Sequence, residues 1–213
     1  GNDATDDNNY DQPNDGLGYP VSLGNKQFLS YLDWAALRPM TDFEYEKACR
    51  GPITPQVNEF AWGTTDYTSY TNYSVTDKYL ATERLSGTGL GMNNIQSNNN
   101  FRVGIAATAT SNRVNAGATY YGIMEMTGGM HERVIGRHNV DYSWFTTANG
   151  DGILDANAFS DWNESVLGSR GGSWREYTGA QTSSRYYIVG GIPGGNDNGD
   201  NRNHHGGRGV RSF

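Results

Sequence analysis

Few side chains in this sequence are of types that do chemistry, and their spacing narrows what they can do. Cys49 is the sole cysteine, so no internal disulfide is possible. It lies near the end of an apolar-periodic stretch, on a turn with Tyr45, and reads as a small buried residue. His131-Glu132 is followed by Arg133-Val134 and does not make His-Glu-x-x-His. His138, Asp141 and Ser143 have the residue types of a hydrolytic triad, but share one short loop. His204-His205 offers two metal-ligand types inside a Gly/Asn-rich tail, where a solvated polar loop is the plainer reading.

Oxygen ligands are better patterned. Asn149-x-Asp151-Gly152-x-x-Asp155 has the spacing of a hard-cation loop, with a glycine for the sharp turn. Thr147 stands where the first Asp of such a loop belongs, and Ala158 where the bidentate Glu belongs. Asp7-x-Asn9-x-Asp11 is a second partial loop without the glycine. Calcium at Asn149, Asp151 and Asp155 is the expected cofactor. A contact surface is expected from 174 to 205, around Trp174, Arg175, Tyr177, Arg185, Tyr187, Asn198, Asn201, Asn203 and His204. Tyr and Arg supply amphipathic contact area there, and Asn and Gly supply adaptable hydrogen bonds.

These residues need elements to hold them. Apolar residues at 28, 29, 32, 35 and 36 have helical spacing and predict a helix over 26–36. Thr41-Asp42-Phe43-Glu44 is a capping box, with Met40 and Tyr45 placed for a hydrophobic staple; Gly51-Pro52 stops the helix, giving 42–50. Residues 53–118 are turn-rich. Residues 119–126 and Met130–Ile135 read as short strands around a Gly128-Gly129 turn, 143–163 as a polar loop, and Arg185–Val189 as a β-rich run. With helices early and short antiparallel strands late, the pattern predicts an α+β fold with little regular structure. Residues 1–19 form a polar acidic segment ahead of one domain over 20–213.

Composition excludes several classes. Gly, Asn and Asp make up nearly a third of the 213 residues, while charged residues are only 18%. No apolar run spans a membrane, no glycine period suggests collagen, and 12% aromatics argue against simple disorder. A net charge of −7 disfavours nucleic acid, whose phosphates need basic patches. Thirteen arginines against three lysines suit fixed, bidentate contacts rather than a solvated cationic coat. The chain starts at Gly1 without a signal peptide, which suggests a processed or excised piece, and its Asn, Gly and Tyr usage suggests an extracellular or cell-surface setting.

Five segments, in order, resemble the sulfatase-modifying factor family, whose best-known member is the formylglycine-generating enzyme. They are Leu37–Gly51, Ala61-Trp62-Gly63, Tyr121–Met126 with Gly128, Arg170-Gly171-Gly172-Ser173-Trp174, and Gly207-Arg208-Gly209-Val210-Arg211. The resemblance implies an irregular C-type lectin-like fold, here lacking the family's N-terminal part, which a companion chain would supply. It also implies that the oxidase is lost. The family's two cysteines follow Gly-Gly-Ser-Trp, whereas Thr178–Arg185 contains none, so no copper is expected. Some relatives are the variable proteins of diversity-generating retroelements; others are pseudoenzymes in gliding and secretion machines.

The expected function is therefore a non-catalytic extracellular binding or adhesion module for a protein or carbohydrate ligand. The alternatives are a structural subunit of a surface filament, layer or motility apparatus, contacting copies of itself, and a variable ligand-binding protein of a retroelement.

Overall fold

A computed structural model describes residues 20–68, 74–77, 82–86, 102–136, 141, 143, 145–174, 179–185 and 204–211. The acidic segment 1–19, with Asp7, Asn9 and Asp11, lies outside them, as does the β-rich run beyond Arg185.

The first helix, α1, is Asn25–Trp34. It buries Phe28, Leu29 and Leu32, the stripe its periodicity specifies, and exposes Tyr31 and Trp34. It ends two residues before the sequence pattern does. Ala36 turns left-handed at φ 53°, where glycine is usual, and Leu37 N–H donates to Leu32 O at 2.8 Å. Strand β1, Arg38–Thr41, follows, a strand that the sequence pattern does not predict between the two helices. Helix α2, Asp42–Arg50, begins on the expected capping box. Glu44 N–H donates to Thr41 Oγ1 at 3.2 Å, and Thr41 N–H donates to Glu44 Oε2 at 2.8 Å. Arg38 then clamps Glu44 through both guanidinium nitrogens, at 2.6 and 2.8 Å, holding the carboxyl down to about 2. Gly51 ends the helix at φ 62°, where an added Cβ would strike the Tyr120 ring.

The remaining strands are β2 (Ser74–Thr76), β3 (Arg84–Ser86), β4 (His131–Ile135), β5 (Leu167–Arg170), β6 (His205–Gly207) and β7 (Gly209–Val210). β2 and β3 form a separate antiparallel pair. β4 is the centre of the main sheet and is buried at all five positions. β5 runs antiparallel along one edge. β6 and β1 share the other edge, both parallel to β4: His131 faces His205, and further along Met40 faces Val134. β7 closes antiparallel on β1. The fold is thus α+β as expected, but its sheet is mixed and one of its strands comes early.

Side-chain alternation along β4 divides the core. Ile135 joins Phe28, Leu29, Leu32, Trp162, Val166 and Leu167 under α1. Val134 points the other way, into Met40, Tyr45, Cys49, Ala61 and Met126 under α2. A third cluster stacks Phe60 on Trp62, with centroids 4.9 Å apart, beside Ala180. The expected strand at 119–126 is instead a turn. Thr119 N–H donates to Ile123 O, Ile123 N–H donates to Thr119 Oγ1, and Gly122 takes φ 79°. A hydroxyl that captures its own backbone competes with strand pairing.

Gly171 marks a tight backbone crossing. It sits at φ 84°, and a Cβ there would collide with Met126 O and lie 3.1 Å from Tyr45 Oη. Gly128 N–H also donates to Gly171 O at 2.7 Å. Gly171→Ala combines left-handed strain with a backbone clash, and should cost on the order of 2–4 kcal/mol. Urea unfolding measures this; an unchanged midpoint would show that the crossing is not under this constraint.

Candidate functional site

Among the described residues, four places bring chemistry-bearing residues together: the base of the 174–205 segment, the histidines beside it, an oxygen loop around Asp33, and a cleft over β1 and β7.

Of the segment, 175–178 and 186–203 lie outside the described residues, and Trp174 and His204 stand at its two ends. Both are buried, at 4% and 1% exposure, and their rings meet edge to face with centroids 6.0 Å apart. Trp174 N–H donates to Gly129 O at 2.7 Å, and His131 N–H donates to His204 O at 2.8 Å. These two residues hold the ends of the segment and present no contact surface of their own. Midway, Thr182 N–H donates to Glu59 O and Ala180 is buried in the third cluster. Arg185 reaches back to α2, pairing with Asp42 at 3.0 Å and Glu46 at 2.5 Å. Its side chain stays 38% exposed. Arg175, Tyr177, Tyr187, Asn198, Asn201 and Asn203 lie outside the described residues.

His204 does not stand alone. The parallel register of β4 and β6 sets His131 beside His205, and all three imidazoles are buried. Their centroids are 5.7, 4.8 and 4.5 Å apart, and one nitrogen from each ring lies within 4.8 Å of the other two. Adjacent residues of an extended strand point to opposite faces. His204 sits in the turn before β6, which lets both rings converge on His131. Local sequence signals only the His204-His205 doublet; nothing local marks His131 as its partner.

The oxygen loop is organised by α1. The buried Asp33 carboxylate accepts from Gly150 N–H at 2.7 Å and Asp161 N–H at 3.1 Å. Burial, with Asp151 and Asp161 nearby, pushes its pKa up. Asn149 Oδ1 accepts from Thr146 N–H, and its amide donates to Asp161 O. Asp151 Oδ1 caps Ile153 N–H, while Asp155 Oδ1 caps Asn157 and Phe159. Asn149, Asp151 and Asp155 thus each commit one oxygen to a turn. Asp141 binds Ser143 through both backbone and hydroxyl, a local turn; His138 lies outside the described residues. Cys49 is fully buried, and burial pushes its thiol up to about 12.

Sequence reading does not anticipate the cleft. It has a volume of about 500 Å3, a floor of Met40, Ile123 and Val210, and a rim that includes Glu44, Lys47 and Tyr121. Tyr121 is 55% exposed. Arg208, also at the rim, carries the cleft's charge inward: it donates to Met124 O at 2.7 Å and pairs with Glu132 at 2.6 Å. Glu125 lies behind it, left-handed at φ 60°. Burial raises its carboxyl to about 8, against the pull of Arg208.

No protein-family model, curated protein or solved structure significantly matches this chain.

Glu125 makes a pH prediction. Its folded pKa is raised, so its contribution is full below about 4.5 and is lost as pH rises towards about 8. Glu125→Gln should gain stability relative to wild type across that window, by an amount on the order of a few kcal/mol at the alkaline end. Denaturant midpoints of the two proteins at pH 5, 6.5 and 8.5 measure the gap; a constant gap would refute the shift.

Proposed function

We propose that this chain is a non-catalytic binding module, related to the sulfatase-modifying factors and built on their irregular lectin-like scaffold. It acts outside the cell or at its surface on a protein or carbohydrate ligand. The observation that carries this reading is the closed base of the 174–205 segment. A stretch rich in Arg, Tyr and Asn begins and ends at two buried rings in contact, so its two ends are held together on the fold. Binding residues concentrate on loops held this way. The nearby cleft, with one exposed tyrosine and a charged rim over an apolar floor, has the make-up of a small ligand site. The only thiol is buried and protonated, which supports a role without thiol chemistry.

Calcium belongs to the same proposal. Burial is the main cause of the raised Asp33 pKa, with smaller contributions from Asp151 and Asp161, and a cation at Asn149, Asp151 and Asp155 would offset the Asp151 contribution. Millimolar calcium is then expected to raise the melting temperature of chelator-treated protein, and Asp151→Asn to abolish the rise. Titration without heat and without a melting shift would remove calcium from the reading.

A second reading, a subunit that assembles with copies of itself, draws on the outer face of α1. Tyr31 and Trp34 are 54% and 64% exposed, with ring centroids 6.2 Å apart. No helix among the described residues is long and apolar enough to cross a membrane.

Glycan-array binding, compared with a variant in which a short Gly/Ser linker replaces 190–201, tests the main reading. Binding should be lost while the melting temperature is kept. Binding that survives both this replacement and Tyr121→Ala would overturn the assignment. Light scattering that shows ordered polymers, dispersed by Trp34→Lys, would favour the second reading.

A further inference from the structure

We propose that His131, His204 and His205 form a three-imidazole site for a divalent late first-row transition metal of the zinc type. The proposal rests on convergence and burial. Two imidazoles from paired strands and a third from the turn before β6 meet inside the protein, each exposed by 5% or less. One nitrogen from each ring lies within 4.8 Å of the others. Imidazole bonds to zinc of about 2.0–2.1 Å in tetrahedral geometry set nitrogens roughly 3.3 Å apart. Small ring rotations close the difference, because the backbone is already in place. The β4–β6 ladder fixes His131 opposite His205, and the hydrogen bond from His131 N–H to His204 O fixes the third residue.

Donor chemistry selects the metal. Neutral imidazoles suit zinc and its neighbours, whereas calcium takes hard oxygen ligands, so this centre is distinct from the 149–155 loop. Three protein ligands leave a fourth position for water or another donor. The ion would tie β6 to β4, one ring contact away from Trp174. The site does not depend on the binding role proposed above. It would hold equally if the 175–203 segment bound nothing.

Cobalt and zinc titrations of the chelator-treated full chain test the site. One equivalent of Co2+ should give the intense visible absorption of a four-coordinate ion. Zn2+ should displace it and raise the melting temperature by roughly 5–10 °C at a hundredfold excess over Kd. Calcium should do neither. His205→Gln and His131→Gln should each weaken cobalt binding at least about 100-fold. Folded wild-type protein that shows no cobalt band and no zinc shift overturns the site, as does binding undiminished in both variants. Should the variants fail to fold, X-ray absorption on the zinc-loaded wild type decides, and a shell with fewer than three imidazoles refutes the assignment.

Discussion

Arg170 is wholly buried, and a buried guanidinium is costly unless its donors are matched by acceptors in good geometry. Its partners come from distant parts of the chain. Asp42 and Glu46, one helical turn apart on α2, take its two terminal nitrogens, and Thr182 O takes one as well. The plane of the guanidinium lies over the Tyr45 ring at 4.8 Å. Satisfying one cation therefore requires α2, the end of β5 and the 179–185 stretch to meet. Arg185 and Arg50 complete the arrangement: Arg185 pairs with both carboxylates, and Arg50 pairs with Glu46 and Glu59. Removing either carboxylate would leave buried positive charge without its match.

That requirement explains the residues around it. Met126 O accepts the Tyr45 hydroxyl directly beside Gly171, so a side chain at 171 has no room. Gly171-Gly172, both left-handed, then turn the chain from Arg170 to Trp174, whose amide is held by Gly129 O. The site region inherits its precision from this crossing. Trp174 is where the 174–205 segment departs, and Thr182 and Arg185 are where it is fastened to the arginine–carboxylate network. A fold with short strands and two helices keeps its loops in place by such side-chain fastenings. Asp33 does the same for the 149–161 loop, and Arg113 does it by donating to both Cys49 O and Ala61 O.

The two cation readings separate along the same lines. The oxygen loop is a surface turn whose carboxylates are partly committed to their own backbone. The histidines sit inside the sheet, where three imidazoles share one buried space. One is an arrangement of short-range spacing, and the other exists only because two strands pair in parallel.

Helix α2 was legible to the residue, because its start, its stop and its apolar side all lie within a dozen positions. The burial of Phe28, Leu29 and Leu32, the strand His131–Ile135, and a buried Cys49 were legible for the same reason, since each follows from local periodicity or from a single residue's chemistry. The sequence by itself determined these, together with the scarcity of regular structure implied by its glycines and amides. Tertiary structure decided the rest. β1 carries no strand pattern of its own and forms because β4 and β7 offer partners on both sides. The run 119–126 looks extended but turns, because the Thr119 hydroxyl captures the Ile123 N–H four residues on. Arg185 reads as a contact residue, and only the fold shows that Asp42 and Glu46 pair with it. The convergence of His131 with His204 and His205 depends on a parallel register and on a turn that breaks strand alternation. Strand pairing and ion pairing join residues far apart in the chain, and no local spacing encodes which of them will meet.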